Sequence, residues 1–314
     1  MTIDRVATSS QTAYFLSQIQ NAGHALDRTQ EQIASGKNAT TYAGFGDQAQ
    51  VLTATISVNA RNAAYATATK FAVTQADLQD TQLTGLADLA ARLKKAVSDA
   101  VSNNDGKTLM AQVESIFDQA SAILNSKDAN GEYIYAGGKT DTAPVTVNSL
   151  AALEALPAVT DAFANGDLKK SVQVGDGVTV SYGIAASDIG TDLMQMLKDI
   201  ASFNATTPFD ASSNLTGPQG DFLTGAIATT ANVADGLNAA TAANGYVANR
   251  LSDAQTQQAS MNTLYKNFVS TIQDTNMAEA ATQLSLNQTQ LQAALQVTAG
   301  LHQLSLLNFM PPGG

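Results

Sequence analysis

The stretch QLSLNQTQLQAALQVTAGLHQLSLL, residues 283–307, decides how the rest of the chain is read. It is rich in leucine, and from Ala280 to Gly314 there is no Asp, Glu, Lys or Arg. Chain ends usually lie in water and carry polar or charged residues to suit it. A leucine-rich, uncharged end therefore asks for a surface to cover it. Its apolar residues recur in sevens: Met277, Leu284 and Leu291 form one seam, and Ala280, Ala294 and Leu301 a second. The other end mirrors this, with Ile19, Leu26 and Ile33 every seven residues and Phe15 and Ala22 between them. A seven-residue period marks helices that wind around a partner. Thr29, Asn287 and Thr298 interrupt the seams with polar groups.

The chain has 314 residues, room for two modest domains or one elongated one. Hydrophobic residues make up 44%, enough for a core, yet aromatics are 6% and Trp is absent. Apolar content carried by Ala, Leu, Val and Ile suits thin helical packing. The net charge of −11 argues against nucleic acid, because phosphate contacts need a Lys/Arg surface. With no cysteine, disulfides and thiolate metal sites are excluded. The N-terminus lacks the basic flank and apolar run of a secretory signal, and no window nears the roughly 18 apolar residues of a membrane span. Export, if it occurs, is expected by another route, without a cleavable Sec signal and without membrane insertion.

A first helix is expected over about 5–35, stopped by Gly36 in a left-handed cap. The loop NATTYAGFGDQ follows, then a long helix over about 47–102 with Leu52, Ile56, Ala60, Ala63, Phe71, Leu78, Leu86, Leu89, Leu93, Val97 and Val101 on its buried stripe. NNDG at 103–106 breaks it, and a third helix spans 107–126. The middle reads differently. EYIYAGGKTDTAPVTV has the turns and alternation of short strands, and SVQVGDGVTVSYG sets Val172 and Val174 opposite Val178 and Val180 across Gly175-Asp176-Gly177, a hairpin pattern. Helices resume over 189–203 and about 220–272, the latter with Leu264 and Phe268 on its stripe. A tail helix follows, with Asp274-Thr275 as its cap.

The expected fold is mainly α: an elongated helical rod whose N- and C-terminal helices pair as a coiled coil, with a small β-containing insert. Residues 1–45 and 273–314 would form the terminal assembly domain, 46–129 and 219–272 the rod, and 130–218 a variable α+β outer insert.

Catalytic chemistry has little to stand on, and no cofactor is expected. The two histidines, His24 and His302, sit on the terminal helices without a carboxylate cluster, and the zinc, nucleophile-elbow and phosphate-loop motifs are absent. Lys139 and Asp141 flank Thr140 in a turn, and Gly137-Gly138 lacks the adjoining helix start of an anion cradle. Asp176, Asp188, Asp192 and Asp199 lack metal-ligand spacing and read as a solvated face. What remains is the tail. A lone helix is marginal in water unless its apolar face is covered, and each Leu-sized side chain buried gives roughly 1.5–3 kcal/mol. Membrane-surface helices usually carry Lys/Arg on their polar face; here that face is Gln, Asn, Ser and Thr. Protein–protein assembly is the better account.

Three segments carry a resemblance: TQEQIASGKN at 29–38, NGEYIYAGGKTDTAPV at 130–145, and NRLSDAQTQ at 249–257 followed by IQDTNMAEAATQLSLNQTQLQAALQVTAGLHQLSLL. They resemble the bacterial flagellin family, which includes filament flagellins and hook–filament junction proteins. The likeness covers about 1–145 and 220–307 and fades between. It implies a structural subunit of the extracellular bacterial flagellum that self-assembles through its terminal helices into a tube, serving motility, with the central insert facing solvent. Its partners would be copies of itself, hook-associated proteins and a flagellar export chaperone. The assembly interface implied is Phe15, Ile19, Leu26 and Ile33 with Met277, Leu284, Leu291, Leu295, Leu301, Leu304, Leu306 and Leu307.

Two departures stand out. The loop after Lys37 reads NATTYAGFGDQAQ where filament flagellins have Arg-Ile-Asn and paired Asp residues, and the chain runs past LSLL as NFMPPGG. The reading leans to a filament subunit, with a junction subunit as the alternative. A secreted coiled-coil adhesin is the rival from another class.

Overall fold

Gly36 ends the first helix as expected. Its φ of 69° is the left-handed conformation that glycine adopts without steric cost, and its N–H closes back on Gln32. This computed structural model describes residues 3–211 and 214–307, and the side chains of 13–211 and 214–300. Helix α1 spans Ile3–Ser35, and a loop with a 3-10 turn at Tyr42–Phe45 leads into α2, Gln48–Asn103. The expected break after Asn103 is real: Asn104 takes φ 53°, a conformation asparagine tolerates better than most residues. Then come α3 (Leu109–Leu124), the short α4 (Leu150–Glu154), strands β1 (Ser171–Gly175) and β2 (Val178–Ser181), α5 (Ala186–Thr206), α6 (Gly217–Gln273) and α7 (Met277–Leu307). The fold is mainly α, with long helices and a two-stranded antiparallel insert.

The strands expected in EYIYAGGKTDTAPVTV do not form. The backbone there makes only isolated bridges, Lys127 with Tyr133 and Val145 with Phe163. Its donors go to different segments, Tyr133 to Thr140 and Ile134 to Ser126, so no ladder can propagate. Gly131 and Gly137 at positive φ turn the chain before a run builds up. The hairpin does form, with Val172 opposite Val180. A bulge between Gln173 and Gly175 puts Gly175, not Val174, opposite Val178.

The chain groups into two units. One comprises residues up to Arg61 with those from Met261 onward, the other Asn62–Ser260. The second holds the main core, where Leu86, Leu93 and Val97 of α2 meet Phe117 of α3, Leu193 and Leu197 of α5, and Leu237 of α6. Phe203 and Phe222 stack within it at 4.1 Å. A smaller cluster seats Val172, Val180 and Tyr182 of the hairpin against Ala72, Ala76 and Leu251.

Several residues expected on buried stripes are exposed instead: Ile56, Phe71 and Leu78 of α2, and Leu264 and Phe268 of α6. Between Thr69 and Gln258 the two long helices meet through small and polar side chains. Gln258 Nε2 donates to Thr69 Oγ1 (2.9 Å) and Asn244 Nδ2 to the Ala76 carbonyl (2.9 Å), both buried. These buried amide donors join the two helices around the smaller Leu251 cluster, while Phe71 and Leu78 are turned outward.

Candidate assembly interface

The two ends of the chain meet. Helices α1 and α7 lie side by side and antiparallel, since Thr29 pairs with Asn287 while Lys37, just past the end of α1, bridges back to Asp274 before α7. At the crossing of the two loops, Asn38 joins α1, the end of α6 and the linker before α7. Its N–H donates to the Gln273 carbonyl (2.7 Å) and its Nδ2 to the Ile272 carbonyl (2.9 Å), both at the end of α6. Its Oδ1 accepts from Thr275 Oγ1 (3.2 Å), and its carbonyl accepts from Gln32 Nε2 of α1 (2.9 Å). Thr275 N–H adds a bond to the Gly36 carbonyl (2.9 Å).

The cap of α7 is not Asp274-Thr275, as the sequence suggests, but Asn276. Its Oδ1 accepts from the N–H groups of Ala278 (3.2 Å) and Glu279 (3.4 Å). Asp274 is taken by the Ser270 hydroxyl at the end of α6, and Thr275 by Asn38.

Along the pair, Phe15, Ile19, Leu26 and Ile33 are half-buried, as are Leu284 and Leu291. Fully buried seam positions are Ala280, Thr29 and Asn287. Met277 and Leu295 stand half exposed, and Leu301, Leu304, Leu306 and Leu307 lie on the helix but their side chains are outside the described residues, as is the NFMPPGG extension. A two-helix pair cannot enclose side chains of this size. On the outward side Tyr14, Leu16, Leu286 and Val297 are 48–60% exposed, and α7 has no charge after Glu279 to hold that surface in water. Apolar side chains left exposed along an uncharged stretch of helix are a candidate surface for further packing.

Elsewhere the candidate chemistry is accounted for by local contacts. Lys139 Nζ donates to the Ala164 carbonyl (3.1 Å), and Gly137 and Gly138 pack on Gly166 and Leu168 instead of opening a cradle. Asp176 accepts from Tyr65 (2.8 Å), Asp188 pairs with Lys169 (3.0 Å), and Asp199 accepts from Gln195 (2.7 Å). Among the described residues no three His, Asp or Glu side chains gather as metal ligands, and no helix is long and apolar enough to cross a membrane. A recess of about 220 Å³ beside Asn38 is lined by Arg28, Glu31 and Lys37, with Thr40 donating to Glu31 (2.7 Å); its mixed charge suits no single ion.

Sequence reasoning placed the paired helices but missed the clasp at Asn38 and the role of Asn287. The signal for the second was present, as a polar residue breaking a heptad. For the first there was none, because its partners at the end of α6 and before α7 lie over 230 residues away in sequence.

Comparison with known proteins places this geometry among relatives. Residues 227–310 match the bacterial flagellin C-terminal helical region. The flagellar hook-associated protein 3 of Salmonella typhimurium is 28% identical over 144 residues, 45% of each chain. That of Escherichia coli K12 is 28% identical over 118 residues, 36% of this chain and 37% of that one. The matched stretch thus spans less than half the length of either curated relative. Two solved structures share the fold. A candidate flagellar hook-associated protein from Vibrio parahaemolyticus has TM-score 0.57 at 18% identity, covering 71% of this chain and 96% of that one. Bacillus cereus FlgL has TM-score 0.52 at 14% identity, covering 69% and 98%.

Proposed function

We propose that this flagellin-family chain is a structural subunit of the bacterial flagellum that acts at the junction between hook and filament. The α1·α7 pair carries the reading. It buries its own seam incompletely and leaves an uncharged apolar face on α7, which calls for neighbouring subunits. The names borne by its curated relatives favour the hook-associated role over the filament one.

In this reading the subunit works extracellularly, with copies of itself and other hook-associated proteins as partners. Residues 1–45 and 273–314 are the assembling part, 46–129 and 219–272 a helical support, and 130–218 an insert facing solvent. The residues meeting neighbours are Leu295, Leu301, Leu304, Leu306 and Leu307, backed by the seam of Phe15, Ile19, Leu26, Ile33, Leu284 and Leu291. Met277 stands at the entry to α7. No catalytic step is assigned.

The test is electron microscopy of the purified chain, alone in a precipitating salt and with isolated hooks. A junction subunit adds to hook ends and does not form long filaments by itself. Long uniform filaments from this chain alone would restore the filament reading. Monomers that do neither would point to a binding protein with a helical stalk.

A further inference from the structure

Two polar residues occupy the driest place in the α1·α7 seam. Thr29 and Asn287 are 5% and 8% exposed, drier than the leucines around them. Asn287 Nδ2 donates to Thr29 Oγ1 (3.0 Å) and to the Ala25 carbonyl (3.2 Å), while Thr29 Oγ1 donates to the same carbonyl (2.9 Å). A buried amide persists where its hydrogen bonds are met. The observed alignment gives the Asn287 Nδ2 group two acceptors. Slide α7 by one heptad either way, and Asn287 comes to face Ala22 or Gly36, while Thr29 faces Ala280 or Ala294 respectively. None of these four has a polar side chain. The apolar pattern raises no such objection: a seven-residue repeat is reproduced by a seven-residue slip, and Leu26 would still meet a seam residue.

We infer that Thr29 and Asn287 are positioning residues which, with the Asn38 clasp, hold α1 and α7 in one antiparallel register. The clasp fixes the end of α1 against the start of α7. The buried pair, about a dozen residues along α7, fixes the alignment beyond it. Single polar residues at seam positions of coiled coils act this way, trading stability for a unique register. The consequence is axial. A slip would move Leu286 and Leu295 about 10 Å along α1, at 1.5 Å per residue, and so change the surface offered to a neighbour. That consequence rests on the assembly reading above; the alignment itself does not.

The chain has no cysteine, so two can be introduced for spin labels at exposed sites, Gln30→Cys on α1 and Gln296→Cys on α7. Their axial offset is about 15 Å in the observed register and changes by about 10 Å on a heptad slip. Electron–electron double resonance is then read on the labelled full-length chain, on Asn38→Ala, and on Asn38→Ala with Thr29→Val and Asn287→Leu. The expected result is one distance for the first two and a second population displaced by up to about 10 Å for the third. A single unchanged distance in the third would overturn the inference, because the apolar pattern would then suffice. Two populations, or none defined, with Asn38→Ala alone would also overturn it, because the buried pair would not hold the register. Hook binding is measured separately on the same proteins. A chain that keeps its register yet ignores hooks counts against the assembly reading and leaves the lock standing.

Discussion

Tyr135 heads the fully buried side chains of the chain by size, and its hydroxyl meets no partner. Stranding a buried hydroxyl costs about 1–3 kcal/mol, so Tyr135→Phe should be neutral or stabilising by about 1 kcal/mol, read as the urea midpoint. Burial also pushes the Tyr135 phenol, and to a lesser degree that of Tyr182, above the ordinary value of 10.0. The folded chain therefore keeps protons that the unfolded chain sheds. This stability is fully present below about pH 10 and is lost as pH rises beyond it, since the unfolded state then binds fewer protons. Urea midpoints at pH 9 and pH 11 should show that fall, and Tyr135→Phe should make it shallower. Gly137 is the complementary case. Its φ is 62°, and an added Cβ would sit 2.2 Å from the Gly166 carbonyl oxygen. Gly137→Ala should lower stability by about 2 kcal/mol or more, combining left-handed strain with overpacking.

At the scale of elements, α7 separates folding from assembly. Leu286 and Leu295 are about half exposed, so Leu286→Glu with Leu295→Glu should shift the melting of the isolated chain by no more than about 0.5 kcal/mol per site. The same pair of charges should abolish addition to hooks, measured by sedimentation with isolated hook structures. The terminal helices, the long helices and the hairpin were legible in sequence, because heptads, helical stripes and a glycine-bearing turn are local signals. The segment 125–170 was not legible. Its order comes from contacts between distant groups, as where Lys198 Nζ donates to the Leu153 (3.2 Å) and Glu154 (2.8 Å) carbonyls and to that of Leu156, closing the end of α4. The outward turn of Phe71 and Phe268 was hidden for a related reason. Periodicity says that a stripe exists, and only the neighbour says which stripe it wants. As for the interface, the seam residues could be picked out by their spacing, whereas Asn38 could not, having no periodic neighbour.

For the whole molecule, the division into two units makes a prediction about truncation. The main core draws its members from Leu83 to Leu237, all within Asn62–Ser260. Removing residues 280–314 should therefore leave the thermal transition of that unit within a few degrees of the full chain, by calorimetry, while the partnered state of α1 and all binding to hooks are lost. Loss of both transitions would show that the core depends on the terminal pair.

The helix pair also sets an order of events in time. Its halves lie at opposite ends of the chain, with Thr29 bonded to Asn287 across 258 positions. Chains are made from the N-terminus onward and domains tend to fold as units, so α1 waits without its partner while the whole interior is completed. Only a chain that has been finished, and not cut, can close the pair. The clasp and the seam thus act as a test of completeness: the helix pair comes into being last, and only where both of its halves are present.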